Sequence, residues 1–310
     1  MKFQFAVGIA LAAVAVTAVT GCSTSSPAAA AGTPNGSTTK IPVVAAENFW
    51  GSIAGQLGGD HTSVTSVITN PDTDPHAYEP TPADGRTMAG AQYAIVNGVG
   101  YDPWAPKLLA ANANPARTVL TVGDLVGVSG GGNPHRWYSP DDVRKVIDQI
   151  TADYQRIDPA DSAYFAQQKA NFETQGLAEY TRLITDIKTK YAGTPIGASE
   201  SIVTPLAEGL GLTMLTPETF LDAISEGSDP TAADKATIDT QIKNKQLKIY
   251  VYNSQNSTPD VQAQVNAAKA AGIPVATVTE TLVPSNATFQ EWQAKQLQGI
   301  EQALAQATGK

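Results

Sequence analysis

Residues 41–59 read IPVVAAENFWGSIAGQLGG, and this stretch decides the fold. It begins with six residues of the type found in buried strands, and Phe49, Ile53 and Leu57 then recur at the spacing of one helix face. The glycine pair at 58–59 ends the helical pattern. A strand that passes directly into a helix is the unit of an α/β fold, in which helices connect parallel strands.

The same unit repeats along the rest of the chain. Further strands are predicted at 63–68, 93–96, 118–122, 195–199, 212–215, 247–252 and 273–278. Further helices are predicted to begin near Thr81, Pro103, Ser139, Ile202, Asp229, Thr258 and Thr288. Because strands and helices alternate in two halves of the chain, we expect an α/β protein of two lobes, each a mainly parallel sheet flanked by helices.

A long helical pattern lies between the two halves, at 159–191. Its apolar residues fall mostly three or four apart, as Tyr180, Leu183 and Ile187 do. At 1.5 Å per residue, about 30 residues would extend roughly 45 Å, which is longer than one small domain needs. The pattern therefore predicts one long helix that joins the lobes. Two consecutive helices broken near Gly176 are the alternative.

These patterns divide the chain into five predicted segments. They are a signal peptide at 1–21, a flexible tether at 22–40, an N-terminal lobe at 41–158, the linking helix at 159–191 and a C-terminal lobe at 192–310. The signal is predicted because Lys2 precedes an apolar stretch that is short for a bilayer span. The tether is rich in Ser, Thr, Ala, Gly and Pro, a composition that buries too little apolar surface to fold.

Cys22 is the only cysteine of the chain, so no disulfide can form within it. It closes the sequence Val19-Thr20-Gly21-Cys22, which is similar to a bacterial lipobox, where the thiol receives a lipid. An ordinary secretory signal with a leftover cysteine is the alternative. We expect lipidation at Cys22 and an extracytoplasmic protein anchored to the cell membrane by this N-terminal lipid.

The formal net charge of -9 bears on the partners. An acidic surface argues against nucleic acid or anionic lipid as the ligand, because both are negatively charged. It is compatible with the attraction of cations, although most of the acidic residues are expected to form a solvated exterior.

Two of the three histidines directly follow a proline. His76 ends the sequence Asp74-Pro75-His76, and His135 ends Asn133-Pro134-His135. Proline fixes φ and donates no backbone hydrogen bond, so each imidazole is expected in a rigid loop, which suits metal binding. Two unrelated solvated loop residues are the alternative reading. The third histidine, His61, falls at a helix-to-strand turn and is interpreted as a turn residue.

Two acidic residues follow predicted strands of the second half. Glu200 comes after 195–199, and Glu280 follows 273–278. Loops after the carboxyl ends of parallel strands carry the ligands of α/β proteins, so both carboxylates are candidates to complete a site that two imidazoles begin. Either one, taken alone, can equally be a solvated loop acid.

Three segments of the first half stand out: HAYEPTPAD at 76–84, NGVGYDPW at 97–104 and NPHRW at 133–137. They resemble the signature sequences of the zinc- and manganese-binding receptor lipoproteins of ABC importers. The likeness runs from Ile41 to the C-terminus, where Thr279-Glu280-Thr281-Leu282 adds to it. The resemblance implies a monomeric two-lobed receptor without catalytic activity, which holds a metal ion between its lobes and delivers it to a membrane permease.

The resemblance also assigns the ligands position by position. His76 and His135 fall on the family's histidine ligands, and Glu200 falls on a position that is histidine in many zinc receptors and glutamate in many manganese receptors. Glu280 would replace the usual aspartate and adds a methylene to that ligand. Two imidazoles and two carboxylates suit Mn²⁺ better than tetrahedral Zn²⁺, with Zn²⁺ second and Fe²⁺ possible. The Irving–Williams order would still favour Zn²⁺ in vitro.

Three other functions are compatible with parts of the sequence. A surface adhesin without a metal would carry the same lipobox and tether. An organic-solute receptor would line its cleft with aromatic side chains, for which Trp50, Trp104 and Trp137 are available. A metal-dependent hydrolase would need an open metal position and a spare base, but the chain has no His-Glu-x-x-His sequence.

Overall fold

Two four-stranded parallel sheets with helices packed on them form the framework of the protein. The computed structural model describes residues 39–310. The predicted signal peptide, Cys22 and nearly all of the predicted tether lie outside the described residues. Within the described part, no helix has both the length and the apolar character required to cross a bilayer.

The first sheet has the strand order β2-β1-β3-β4. Its strands are β1 Ile41–Glu47, β2 Thr62–Ile68, β3 Tyr93–Val96 and β4 Thr118–Thr121. The second sheet has the equivalent order β6-β5-β7-β8. Its strands are β5 Pro195–Ala198, β6 Thr213–Met214, β7 Ile249–Asn253 and β8 Val275–Val278. All eight predicted strands are confirmed, and the two lobes repeat one topology.

Twelve α-helices connect and cover these strands in the described residues. They are α1 Asn48–Gly58, α2 Pro82–Gly90, α3 Ala105–Ala111, α4 Val122–Val126, α5 Pro140–Ile157, α6 Ser162–Asn171, α7 Ala178–Tyr191, α8 Thr204–Leu210, α9 Glu218–Ser225, α10 Ala232–Lys243, α11 Pro259–Ala270 and α12 Phe289–Thr308. The sequence patterns did not predict α4 and α9, which are only five and eight residues long. Short helices give too few turns for a clear apolar period.

The connection between the lobes is helical, as predicted, and it also carries the interruption that Gly176 suggested. Helix α6 passes into a π-helical turn at Phe172–Gly176, and α7 begins at Ala178. A Cβ at Gly176 would lie 2.8 Å from the ring of Phe172, so the turn requires glycine at this position. The segment is therefore two α-helices joined through one π turn, rather than a single uninterrupted α-helix.

An aromatic interface joins the lobes beneath the carboxyl ends of the strands. Phe49 of α1 stacks on Trp137 with ring centroids 4.0 Å apart, and Trp292 of α12 lies parallel to Phe49 at 6.5 Å. Tyr138 completes the group, and its hydroxyl donates to the backbone oxygen of Thr279 at 2.7 Å. The aromatic interface, as we call Phe49, Trp137, Tyr138 and Trp292, belongs to one hydrophobic core that runs through both lobes.

Candidate metal site

The two proline-histidine loops form the same local turn. The Asp74 Oδ1 accepts a hydrogen bond from the backbone N–H of His76 at 2.9 Å, and the Asn133 Oδ1 accepts one from the N–H of His135 at 3.0 Å. An acidic or amide side chain that bonds to the backbone two residues later is an Asx turn, and the intervening proline has no N–H to compete. The backbone at each histidine is thus fixed by the side chain two residues before it, which agrees with the rigid loops expected from the sequence.

Asn133 also sets the orientation of the His135 ring. Its Oδ1 lies 2.9 Å from the His135 Nδ1, and its Nδ2 donates to the backbone oxygen of Ser201 at 2.7 Å. Because an amide oxygen can only accept, the Nδ1 carries the proton and the Nε2 keeps its lone pair. The same side chain links a loop of the first lobe to the residue after Glu200 in the second.

Tyr101 separates the two imidazoles. Its ring lies edge-on to His76 at 4.9 Å and to His135 at 5.9 Å. The Nε2 of His76 is buried, and it has no hydrogen-bond partner. An unpaired buried nitrogen is costly, so this atom is available to a ligand.

The carboxylates of the second lobe approach from the opposite side. Glu200 follows β5 and is 3% exposed, and its Oε2 accepts from the Asn256 Nδ2 at 2.7 Å. The other oxygen, Oε1, is buried without a hydrogen-bond partner. Glu280 follows β8, and its Oε1 lies 3.7 Å from the His135 Nε2. The predicted residues of the two lobes therefore face one another.

A cavity of about 660 Å³ lies between the lobes at this point, and His76, Glu200 and Glu280 line it. Its wall also contains Pro71, Asp72, Thr73, Asp74, Ile224, Ser225, Glu226, Gly227, Ser254, Gln255 and Asn256. The carboxylates on this wall outnumber its cationic groups, so the cavity attracts cations. His135 lies beneath the wall and is 2% exposed.

Burial sets the protonation of these groups when no cation is bound. It lowers the pKa of His135 to about 4, so the ring is neutral at physiological pH, which is the form that binds metals. It raises the pKa of Glu200 to about 7, and repulsion from Glu280 adds to this. Burial likewise raises the pKa of Glu280 to about 7. Burial disfavours the ionised form of both carboxylates, and a bound cation would stabilise that form.

The four predicted ligands are near one another but not yet at coordination distance. Donor atoms bound to one ion are about 3–4 Å apart, because each bond is about 2.0–2.2 Å. The pair His135 and Glu280 meets that spacing at 3.7 Å. Within residues 39–310, three donor atoms lie within 4.8 Å of one another only at His61, Asp158 and Asp161, so the predicted ligands must draw together to share an ion.

The His61 group is explained without a metal. His61 ends a 3-10 turn after α1, which agrees with its interpretation as a turn residue. Its Nδ1 lies 2.7 Å from the Asp161 Oδ2, and its ring packs on Tyr164 with centroids 4.0 Å apart. This contact joins the turn after α1 to the turn before α6 and accounts for the short spacing between His61 and Asp161.

Sequence reasoning missed the polar turn after β7, residues 253–256, which reads Asn-Ser-Gln-Asn. We call it the β7 turn. It contacts both carboxylate loops, since Asn256 donates to Glu200 and the Gln255 Oε1 accepts from the backbone N–H of Glu280. The rule that strand-end loops carry ligands would have found it, because the turn directly follows the predicted strand at 247–252.

Comparison with known proteins identifies similar chains. One family model, described as zinc-uptake complex component A, periplasmic, matches residues 43–303. The manganese-binding lipoprotein MntA of Halalkalibacterium halodurans is 28% identical over 149 residues, which are 47% of this chain and 49% of that protein. The zinc-binding lipoprotein AdcA of Streptococcus pneumoniae is 24% identical over 278 residues, which are 81% and 53%. The chain thus spans about half the length of these curated relatives.

The fold is also similar to solved structures. The manganese-bound periplasmic metal-binding protein of Candidatus Liberibacter asiaticus matches with a TM-score of 0.71 at 19% identity, over 86% of this chain and 100% of that chain. At this identity the likeness establishes the fold, two lobes with parallel sheets, as the sequence predicted.

Proposed function

This chain belongs to the family of zinc-uptake complex component A, periplasmic, and from that membership we propose that it is the metal receptor of an ABC importer. In this function it binds a divalent transition metal ion between its lobes outside the cytoplasm and delivers the ion to the membrane permease. The observation that best supports the proposal is an acidic cavity lined by His76, Glu200 and Glu280, with the His135 Nε2 lying 3.7 Å from the Glu280 Oε1.

The proposed ligands are His76, His135, Glu200 and Glu280. Two of their donor atoms, the His76 Nε2 and the Glu200 Oε1, are buried without a hydrogen-bond partner, a cost that a bound cation would remove. The lone pair of the His135 Nε2 faces Glu280. As the loops draw together on the ion, ligands from both lobes assemble, and release requires the permease to separate them again.

Mn²⁺ is the favoured cargo, with Zn²⁺ second and Fe²⁺ a third candidate. Two carboxylates can each bind through one or two oxygens, which permits the five or six bonds that Mn²⁺ prefers. A cavity larger than a bare ion leaves room for water as an additional ligand. Zn²⁺ would compete in vitro because the Irving–Williams order favours it for the same donors.

The structure gives the alternatives less support. Trp50, Trp104 and Trp137 are all buried, and none of them lines the cavity between the lobes, where an organic-solute receptor would need aromatic side chains. Trp104 lines a separate cavity beside Tyr78. Catalysis would require an additional base beside the metal. Asp72, Asp74 and Glu226 also line the cavity, but the matching family model describes a component of metal uptake rather than an enzyme. We therefore propose a receptor without enzymatic activity.

We further propose that the protein is a monomer held at the membrane by lipid on Cys22. The thiol follows an apolar stretch that resembles a lipobox. Replacing Cys22 with Ser is expected to move the protein from the membrane fraction to the soluble extracytoplasmic fraction. Equal membrane association of the variant and the wild type would contradict lipid anchoring.

The decisive experiment measures unfolding with and without metal. Mn²⁺ at 100 times its dissociation constant is expected to raise the free energy of unfolding by about 2.7 kcal/mol. The substitutions His76→Ala and His135→Ala should each remove most of this increase. His61→Ala is the matched control and should retain it. An unchanged unfolding curve of the wild type with Mn²⁺ or Zn²⁺, or loss of the increase in His61→Ala alone, would refute the proposed site.

A further inference from the structure

The side chain of Gln255 uses every hydrogen-bonding position of its amide to join three segments. Its Oε1 accepts from the backbone N–H groups of Glu280 at 2.5 Å and Thr281 at 3.0 Å. Its Nε2 donates to the Thr281 Oγ1 at 3.0 Å and to the backbone oxygen of Pro71 at 2.7 Å. A planar amide with two donors and two acceptor positions is thereby fully satisfied, which holds it in one orientation.

The contact with Pro71 crosses from the second lobe to the first. Pro71 belongs to the loop that leads to His76, and the Asx turn of Asp74 makes this end of the loop a defined structure. The far end of the loop is held within its own lobe, where the Tyr78 hydroxyl donates to the Asp84 Oδ2 at 2.8 Å. Gln255 is therefore placed to tie the near end of the His76 loop to the other lobe.

Hydrogen bonds within the β7 turn fix the backbone of Gln255. The backbone N–H of Gln255 donates to the Asn253 Oδ1 at 2.9 Å, and the N–H of Asn253 donates to the Ser199 Oγ at 3.1 Å. Asn253 is fully buried. Because this turn is anchored to the strand end that carries Glu200, the Gln255 amide holds the Glu280 loop and Pro71 at defined positions relative to each other.

We propose that Gln255 is a positioning residue that couples the loop of His76 to the loop of Glu280, so that both sides of the cavity mouth close together on the metal. This inference rests on the proposed function. The ligands must draw together to share an ion, and the amide makes the inward movement of Glu280 and that of the His76 loop one event. Retention of the metal then depends on a residue that does not touch it.

The test compares Gln255→Met with a second glutamine that also joins the lobes. Methionine keeps the length of the side chain and removes the hydrogen bonds. The control is Gln290→Met, because the Gln290 Oε1 accepts from the Gln56 Nε2 at 3.0 Å on the side of the molecule where α12 meets α1. Both substitutions delete an inter-lobe amide contact, but only the first lies at the cavity.

In the first measurement, Mn²⁺-loaded protein is mixed with excess EDTA and the rate of metal release is followed. Gln255→Met is expected to release Mn²⁺ about tenfold faster than the wild type, since a lost hydrogen bond commonly changes an equilibrium by that factor. Gln290→Met should stay within about twofold. Equal release rates in the wild type and both variants would overturn the inference.

The second measurement is hydrogen exchange on metal-free protein. If Gln255 served only general stability, its loss would speed exchange throughout the chain. In Gln255→Met we expect faster exchange in peptides covering 70–76 and 279–282, with the rest of the chain unchanged. The substitution Gln255→Glu distinguishes the accepted hydrogen bonds from the donated ones. A carboxylate still accepts from the backbone N–H groups of Glu280 and Thr281, but it cannot donate to the backbone oxygen of Pro71. It should therefore loosen 70–76 and leave 279–282 protected.

The two arms also separate the inference from the proposed function. A wild type that binds neither Mn²⁺ nor Zn²⁺ would refute the receptor, while the exchange data would still report on the coupling. Unchanged exchange at 70–76 in Gln255→Met would overturn the coupling, even where Mn²⁺ binding is intact. A melting temperature of metal-free Gln255→Met close to that of the wild type shows that the variant is folded.

Discussion

The lobes meet in two chemically different ways. At the aromatic interface, large rings are fully buried and stack at distances as short as 4.0 Å. At the cavity, single amide side chains cross the gap, such as Gln255 to Pro71 and Asn133 to Ser201. Stacked rings in a close-packed core resist displacement, whereas one or two hydrogen bonds near water are exchanged at little cost. The contrast indicates a fixed base, which is the aromatic interface, and an adjustable mouth, which is the set of loops around the cavity.

Glu280 stands at the boundary between these two regions. The residue before it, Thr279, accepts from the Tyr138 hydroxyl through its backbone oxygen and from the Trp292 Nε1 through its Oγ1, both at 2.7 Å. The backbone N–H of Glu280 itself bonds to Gln255. The backbone of this proposed ligand is thus held by the aromatic interface on one side and by Gln255 on the other. Its carboxylate can therefore move while the aromatic interface stays intact.

The largest expected effect comes from breaking the base. Phe49→Ala removes a fully buried ring that stacks on Trp137, and it should lower the free energy of unfolding by about 3–5 kcal/mol. Urea unfolding of metal-free protein measures this loss. The control Val119→Ala alters a side chain that is 46% exposed and should change stability by less than about 0.5 kcal/mol. A loss below about 1 kcal/mol for Phe49→Ala would contradict a fixed base.

An intermediate effect is expected from the mouth, and it should appear in binding rather than folding. Asn256→Ala removes the donor to the Glu200 Oε2, and residues that orient a metal ligand typically contribute about 10–100-fold in affinity. Titration with Mn²⁺ should show this loss, while the metal-free melting temperature changes little. Asn114→Ala, at an exposed loop asparagine, is the control. Unaltered Mn²⁺ affinity in Asn256→Ala would show that Glu200 is positioned by the backbone alone.

The smallest effect concerns a buried acid pair on the first lobe, Glu47 and Asp102. Burial raises the pKa of Glu47 well above its usual range, and the charge of Asp102 adds to the shift. Burial also raises the pKa of Asp102 to about 6. A carboxyl whose pKa is higher in the folded than in the unfolded protein binds more protons when folded, so stability falls as pH rises from about 4 toward neutrality.

Glu47→Gln should reduce that fall, because the amide cannot ionise. Relative to the wild type, the variant is expected to gain on the order of 1 kcal/mol near neutral pH and little near about pH 4. Urea unfolding of both proteins in EDTA at several pH values measures the difference. Parallel pH profiles would mean that Glu47 has the same pKa in the folded and the unfolded protein, which would contradict the raised pKa.

Much of the fold was predictable because its signals are local. Phe49, Ile53 and Leu57 mark the buried face of α1 by spacing alone, and all three are fully buried. The turns at His76 and His135 were also predictable, since an Asx turn needs only three consecutive residues. The interruption of the linking helix was suggested only as an alternative, two helices broken near Gly176. A glycine indicates a weak point in a helical pattern, but it does not distinguish a break from the π turn found at Phe172–Gly176.

The members of the candidate site could be proposed from the sequence, but their arrangement could not. Resemblance and strand order proposed Glu200 and Glu280 as partners of the histidines; His76, Glu200 and Glu280 line one cavity, and the His135 Nε2 lies 3.7 Å from the Glu280 Oε1. No pattern indicated that the donors would stand apart from coordination distance or that Asn256 would hold Glu200. Those features depend on how two lobes dock, which a local pattern does not encode.

The alternation of strands and helices, the division into two lobes and the histidine turns can be read from the order of residues, because each depends on residues a few positions apart. The hydrogen bond from Gln255 to Pro71, 184 positions away, and the burial that raises the pKa of Glu200 to about 7 depend instead on how the folded chain packs. Contacts and desolvation of this kind arise when distant surfaces pack together, and their energies depend on geometry that exists only in the folded protein.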